Sequence, residues 1–215
     1  MIHLVIVEDH PIFRAGLKEL IETEHDLRVC GEADTITGAL KVIEKTQPDL
    51  VIVDITLKGR NGIELISELH RDHSNLPILV LSMHDEALYA ERAFRAGANG
   101  YIMKEETSDS IIKGIRAVYS GQKYASKQFM AKILDKFLNH SPDSSRSPID
   151  RLTTRELDVF RLLGQGMTTR DIADHLDLGV KTIGTYRERI KTKLDLQNAT
   201  DLIHSAVRWL EKGDL

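Results

Sequence analysis

Short apolar runs alternate along residues 1–120 with stretches whose apolar positions recur at helical spacing. The apolar runs cover residues 4–7, 27–30, 50–53, 78–81 and 100–102, and the amphipathic stretches cover residues 13–21, 37–45, 62–71, 87–96 and 108–120. Because the runs are continuously apolar rather than alternating, they indicate strands buried on both faces. Five such βα repeats predict an α/β fold with a doubly wound five-stranded parallel sheet, whose ligands bind at the carboxyl ends of the strands.

The pattern changes after this region. Residues 128–138 keep helical spacing and predict a linker helix, whereas residues 139–148 are rich in Ser, Pro and charged residues and predict a flexible tether. We therefore expect two domains and a connection between them. The expected divisions are residues 1–120, residues 121–148 for the linker helix and tether, and residues 149–215.

From Leu152 onward the periodicity is all helical. Thr153 and Glu156 form a capping-box pattern at the start of the first helix. Four short helices are expected, the last of them at about residues 200–211. The second domain is therefore predicted to be small and all-α.

Within this domain, a helix-turn-helix pattern stands out. Thr168 can cap a helix whose apolar residues Ile172, Ala173 and Leu176 lie on one face, and residues 177–179 make a short turn into a second helix. This arrangement is typical of DNA-binding domains, in which the second helix enters the major groove.

The second helix has two different faces. Ile183, Tyr186 and Ile190 can dock it on its own domain. The residues expected to meet phosphates and base edges of double-stranded DNA are Lys181, Thr182, Gly184, Thr185, Arg187 and Lys191. An ordinary solvated amphipathic helix is the simpler explanation of the same spacing.

Charge favours the DNA-binding interpretation. The chain has a formal net charge of -4, yet residues 179–193 contain five basic side chains and one acid. Residues 1–148 hold 18 basic and 22 acidic side chains, whereas residues 149–215 hold 11 of each. Because an electrically neutral domain binds nonspecific DNA weakly as a monomer, dimerisation is expected to matter for affinity.

Composition excludes several other classes of protein. The chain has 215 residues, 41% of them hydrophobic, which is enough for two modest cores. Its single cysteine, Cys30, excludes an intramolecular disulfide, and no apolar stretch approaches the roughly 20 residues of a membrane span. Since no signal-like region is evident, the chain is expected in the cytoplasm, without a membrane association of its own.

Carboxylates follow two of the predicted strands. Glu8 and Asp9 end the first run and Asp54 ends the third, and these strand ends are expected to be neighbours. Clustered carboxylates repel one another unless a cation lies among them, and an all-oxygen site suits Mg²⁺. Ser82 after the fourth strand and Lys104 after the fifth add a hydroxyl and an ammonium. Together these side chains predict a phosphoryl-transfer pocket with Asp54 as the nucleophile.

These motifs resemble those of a known family. Residues 1–120 resemble a two-component receiver domain of flavodoxin-like fold, and residues 149–215 resemble the helix-turn-helix effector of the NarL/FixJ (LuxR-type) response regulators. The motifs that carry the resemblance are E-D at 8–9, D at 54, S at 82, K at 104, L-T-x-R-E-x-x-V at 152–159, I-A at 172–173 and K-T-I at 181–183. The resemblance implies a phosphorylation-activated DNA-binding transcription regulator rather than an enzyme.

For the first domain, the resemblance implies that Asp54 accepts a phosphoryl group from a sensor histidine kinase. Four residues would hold Mg²⁺, the last of them through water: Asp9, Asp54, Thr56 by its backbone carbonyl, and Glu8. Lys104 and Ser82 would contact the phosphoryl oxygens. As Ser82 moves toward them, the ring of Tyr101 would turn inward into the vacated space.

For the second domain, the resemblance implies a homodimer that forms on phosphorylation and binds DNA, with RNA polymerase as a further candidate partner. The last helix carries more apolar surface than a small domain needs for its own core. The residues expected to contribute to dimerisation are Leu202, Ile203, Ala206 and Val207.

The sequence departs from the family pattern at several positions. Lys58 and Gly59 stand where a proline usually follows the phosphoacceptor, and Glu105 removes the proline that favours a cis peptide after Lys104. Tyr186 stands at a position where histidine is the commonest residue in these effector domains. Gly184 lies inside a helix, at a cost of about 0.5–1 kcal/mol relative to alanine.

Two other functions are compatible with parts of this pattern. A haloacid-dehalogenase-type phosphatase would also use an aspartyl-phosphate, but it needs a second acid two residues after the nucleophile, where this chain has Thr56. A pseudo-receiver that only dimerises would not need the full set of carboxylates, hydroxyl and ammonium. Both alternatives are therefore less favoured than a phosphorylated regulator.

Overall fold

The computed structural model describes residues 1–57, 60–138 and 148–212. The chain divides into two units, residues 1–139 and 140–215, which are described separately below. The departure from the family at Lys58 and Gly59 and nearly all of the expected tether, residues 139–147, lie outside the described residues. None of the described helices has the length and hydropathy needed to cross a bilayer.

The first unit alternates strands and helices, as predicted. In chain order its elements are β1 (Ile2–Val7), α1 (Pro11–Glu22), β2 (Leu27–Ala33), α2 (Ile36–Thr46), β3 (Leu50–Val53), β4 (Thr56–Leu57), β5 (Arg60–Asn61), α3 (Gly62–Asp72), β6 (Ile78–Ser82), α4 (Glu86–Ala96), β7 (Gly100–Met103), α5 (Ser108–Tyr119) and α6 (Lys127–Leu138).

Five of these strands form a parallel sheet in the order β2-β1-β3-β6-β7. Every residue of β3 and β6 is buried, as their continuously apolar sequences predict for strands covered on both faces. The reversal of strand order next to β1 makes the sheet doubly wound. The predicted fold class is therefore confirmed.

A short ladder between β4 and β5 was not predicted. It pairs Thr56 with Asn61 and Leu57 with Arg60 in antiparallel register. Strands of two residues are too short to give a recognisable periodicity. Asn61 then caps α3 by accepting a hydrogen bond from the amide of Ile63 at 2.8 Å.

Helix α6 packs on the first unit. Phe129 is buried, and its ring stacks on Phe94 of α4 with 5.7 Å between the centroids. The backbone amide of Ser126, just before the helix, donates to the Glu86 carboxylate at 2.8 Å. The expected linker helix thus begins as part of the first unit.

The second unit is all-α. Its elements are a 3-10 turn (Pro148–Arg151), α7 (Thr154–Gly164), α8 (Thr169–His175), α9 (Val180–Lys193) and α10 (Ala199–Lys212). The capping box at α7 is present, since Thr153 Oγ1 accepts from the Glu156 amide and the Glu156 carboxylate accepts from the Thr153 amide. The four expected helices and the helix-turn-helix are confirmed.

The apolar face of α10 corrects the expected dimer surface. Leu202 and Ala206 are fully buried, so these two residues belong to the core of their own domain. The reason is close packing of α10 on α7, where a Cβ on Gly164 would lie 2.6 Å from the Ala206 carbonyl oxygen. Ile203 is 39% exposed and Val207 is half-buried, so of the four expected residues only these two are open to a partner.

The start of α3 is pressed against the loop that follows β3. A Cβ on Gly62 would lie 1.9 Å from the backbone oxygen of Asp54. We predict that Gly62→Ala lowers the free energy of unfolding of the first unit by about 1–3 kcal/mol, because backbone must shift to admit the methyl group. Chemical denaturation followed by circular dichroism measures this change.

Gly16→Ala in α1 is the matched control. This exposed helix position has no atom within 4 Å of an added Cβ, so alanine should raise the free energy of unfolding by up to about 1 kcal/mol. Equal tolerance of alanine at Gly62 and Gly16 would contradict a close approach between α3 and the β3 loop.

Candidate functional site

Strand register brings the carboxylates together. Val7 of β1 lies opposite Val53 of β3, and the Asp54 amide donates to the Val7 carbonyl at 2.9 Å. Glu8 and Asp54 therefore leave the sheet side by side. Ligand atoms of Glu8, Asp9, His10 and Asp54 lie within 4.8 Å of one another.

Lys104 supplies the positive charge of this pocket. Its Nζ lies 2.7 Å from Glu8 Oε2 and 2.7 Å from Asp54 Oδ2, and its side chain is only 4% exposed. The ammonium also lies 4.4 Å from the centre of the Phe13 ring. No peptide bond among the described residues is cis, so the one between Lys104 and Glu105 is trans.

The negative charge of the Asp54 carboxylate is only partly compensated in this pocket. Burial raises the pKa of its carboxyl from 3.8 to about 6, and the charge of Glu8 adds to the increase, whereas Lys104 opposes it. Asp54 Oδ1 is buried without a hydrogen-bond partner among the described residues. A buried carboxylate oxygen of this kind is unfavourable unless a cation or a donor reaches it.

The donor set fits a hard divalent cation. Glu8, Asp9 and Asp54 provide carboxylate oxygens, and one ammonium cannot neutralise three carboxylates. The free Asp54 oxygen is the kind of ligand that Mg²⁺ prefers. The structure thus contains an acidic cluster suited to a cation.

Both Glu8 oxygens are already in use. Oε2 pairs with Lys104, while Oε1 accepts hydrogen bonds from the His10 amide at 3.0 Å and from its Nδ1 at 3.1 Å. A direct contact between Glu8 and an ion would have to compete with these partners, and the expected contact through water stays a prediction. The His10 ring itself is exposed at the edge of the pocket.

His84 connects the two residues expected to switch. The Ser82 hydroxyl accepts from the His84 amide at 3.1 Å, and the Tyr101 hydroxyl donates to the His84 carbonyl at 2.8 Å. The His84 ring forms a hydrogen bond of 2.9 Å with the Thr56 side chain. Tyr101 is already buried with its ring inward, so this structure does not show the outward ring from which the expected inward turn would start, and burial raises the pKa of its phenol. Nothing in the periodicity of the sequence pointed to the role of His84.

On the second unit, α9 exposes only part of the expected DNA-contacting set. Ile183 and Ile190 are fully buried, which fixes the orientation of the helix. Exposure divides the six expected residues: Lys181, Thr182 and Thr185 are exposed, whereas Gly184, Arg187 and Lys191 are half-buried.

Several basic side chains of α9 are bound within their own domain. Arg187 donates to the hydroxyl of Thr169 on α8. Lys193 lies 2.6 Å from the buried carboxylate of Glu156, and thus ties the end of α9 to the capping box of α7. The positive charge counted in the sequence is therefore only partly available to DNA, and Arg189, which we did not single out, is exposed.

Known proteins match both units. The model of the response regulator receiver domain matches residues 4–116, and that of the luxR family of bacterial regulatory proteins matches residues 150–206. The response regulator UvrY of Escherichia coli is 30% identical over 208 residues, which cover 97% of this chain and 94% of UvrY. The response regulator GacA of Pseudomonas aeruginosa is 31% identical, with 97% and 96% covered.

A solved structure also resembles the whole chain. RcsB of Salmonella enterica serovar Typhimurium, bound to promoter P1flhDC in the presence of phosphomimetic BeF3-, is 25% identical, with a TM-score of 0.58. The alignment covers 96% of this chain and 98% of RcsB. Both units are thus similar to parts of the same known proteins.

The raised pKa of Asp54 predicts a pH-dependent stability. The folded chain holds this proton more tightly than the unfolded chain, so the free energy of unfolding falls as pH rises from about 4 to about 6. Asp54→Asn removes the buried charge and should stabilise the first unit at pH 7 by up to about 3 kcal/mol. Thermal unfolding at pH 4 and pH 7 measures the difference.

Asp72→Asn is the control, because Asp72 is exposed and pairs only with Arg71 among the contacts described. It should leave the unfolding temperature nearly unchanged, since exposed ion pairs contribute little. An Asp54→Asn variant that unfolds below the parent at pH 7 would show that Lys104 compensates the carboxylate fully.

Proposed function

The chain belongs to the response regulators with a luxR-family DNA-binding domain, and we propose that phosphorylation of Asp54 controls how it binds DNA. Proteins of this family are DNA-binding transcription regulators and not enzymes. The observation that carries the proposal is the Asp54 carboxylate, which is buried beside a buried ammonium and keeps one oxygen without a hydrogen-bond partner among the described residues.

In the proposed reaction, Asp54 attacks phosphorus in a phosphohistidine of a sensor histidine kinase. A bond forms between a carboxylate oxygen and phosphorus, and the phosphorus–nitrogen bond breaks. The imidazole leaves with the electron pair and takes up a proton. Attack requires the ionised carboxylate, and the nearby Lys104 ammonium favours that form.

Mg²⁺ is the proposed cofactor of this step. Asp9, Asp54 and the Thr56 carbonyl would hold it, with Glu8 acting through water. When bound, the ion would neutralise the carboxylates and the charge on the phosphoryl oxygens. The support for this assignment is the acidic cluster and the free Asp54 oxygen.

Lys104 and Ser82 are proposed to contact the phosphoryl oxygens. The Ser82 hydroxyl would donate its own proton there, and a movement toward those oxygens would strain the hydrogen bond that the same hydroxyl accepts from the His84 amide. The Tyr101 hydroxyl donates to the carbonyl of His84. A movement of Ser82 that shifts the His84 backbone would therefore also affect the Tyr101 ring. A new dianion in the pocket would thus favour one of two packings of this loop.

The proposed output is dimerisation on operator DNA in the cytoplasm, where RNA polymerase is a further candidate partner. Ile203 and Val207 on the open side of α10 are the proposed contacts between two copies. Lys181, Thr182 and Thr185 are the proposed first contacts with DNA, and the half-buried Gly184, Arg187 and Lys191 flank them. The RcsB structure, bound to promoter DNA in the presence of a phosphomimetic, supports DNA binding by the phosphorylated form through similarity.

Phosphorylation is directly testable. With Mg²⁺ and a small phosphodonor, the intact chain should gain the mass of one phosphoryl group, because Asp54 is the proposed nucleophile. Asp54→Asn should gain none, whereas Asp72→Asn should behave as the parent. Retention of one phosphoryl group in Asp54→Asn would place the nucleophile elsewhere.

The corrected dimer surface gives a second test. Ile203→Asp places a charge on the proposed contact, so the phosphorylated chain should lose tenfold or more in affinity for DNA with two half-sites. Its affinity for one half-site should remain. Gel-shift titration measures both, with Glu211→Gln near the end of α10 as the control. Unchanged binding of Ile203→Asp to two half-sites would exclude this surface.

A further inference from the structure

Glu188 is the only acidic side chain of α9, and it lies on the face that is open to a partner. Its side chain is 72% exposed. It follows Lys181 by seven residues and Thr185 by three, so the three residues share one face of the helix, opposite the buried Ile183 and Ile190. An acid therefore stands in the middle of the surface proposed to enter the major groove.

A carboxylate at this place is unfavourable for DNA binding in general. Phosphates line both edges of the groove, and the repulsion between like charges at close range is about 1 kcal/mol even in water. The groove contains, however, one base group that a carboxylate accepts from well, the N4 amino group of cytosine. The adenine amino group is less suitable, because its neighbour N7 is an acceptor that would face the carboxylate.

Lys191 forms an ion pair with this carboxylate. Its Nζ lies 2.9 Å from Glu188 Oε2, and the lysine side chain is only 19% exposed. The lysine thus approaches from the flank of the helix while Glu188 projects outward. This pairing engages Oε2 and leaves Oε1 for a second donor, and it reduces the net charge that the groove must accept.

We propose that Glu188 determines sequence preference by accepting a hydrogen bond from the N4 amino group of a cytosine in each half-site. The inference rests on the proposed function, since it requires α9 to enter the major groove. Lys191 acts as a positioning residue, which holds the carboxylate and need not itself contact a base. The acid then contributes selectivity at the expense of nonspecific affinity.

The test is selection of DNA from a random library by the full-length chain, treated with Mg²⁺ and a small phosphodonor. The parent should enrich cytosine at one position of each half-site. Glu188→Gln should lose about tenfold in discrimination for that cytosine and should prefer adenine there, because a glutamine amide bonds both N6 and N7 of adenine. It should also bind random DNA more tightly, having lost a negative charge.

Glu211→Gln removes one negative charge from α10 and serves as the matched control, with the preference of the parent expected. If Glu188→Gln enriches the same sequences as the parent and only binds all DNA more tightly, Glu188 repels phosphates and reads no base. A shift to guanine would assign the reading to the released Lys191. In either case the inference fails while DNA binding stands, whereas a parent chain that enriches no sequence would overturn the proposed function as well.

Discussion

The contact of one buried ammonium with two buried carboxylates organises the pocket of the first unit. Lys104 lies 2.7 Å from both Glu8 and Asp54, yet burial still raises the pKa of Asp54 to about 6. The pocket is therefore organised but carries excess negative charge, which suits a cation. A ligand shifts a conformational equilibrium only when it stabilises one conformation more than the other. A site that a cation can stabilise strongly meets this requirement.

The loop after β6 is hydrogen-bonded to several elements around this pocket. Ser82 and Tyr101 both bond the backbone of His84, and Thr56 bonds its ring, so the loop after β6 is tied to β4 and to β7 at once. A rearrangement of any one of these hydrogen bonds changes the environment of the other two. Packed regions of this kind have a few discrete arrangements rather than a continuous range of them.

Much of this arrangement follows from the sequence, for identifiable reasons. Strand order and burial follow from continuously apolar runs, and Asp54 could be placed beside Glu8 because parallel strands end at one edge. Burial on α10 could not be predicted, since Leu202 and Ile203 are equally apolar and the packing of α10 on α7 buries the first and leaves the second 39% exposed. The hydrogen-bond partner of Arg187 could not be predicted either, because it depends on how α8 and α9 pack against each other.

The most direct test of the account couples the two units in one measurement. The affinity of the full-length chain for an operator fragment is measured with and without a small phosphodonor, in the presence of Mg²⁺, for the parent and for Asp54→Asn. The account predicts that phosphodonor raises the affinity of the parent about tenfold or more, a coupling free energy of about 1.4 kcal/mol, and leaves Asp54→Asn unchanged. Equal affinities of the parent in both conditions, with Asp54 phosphorylated, would contradict the account.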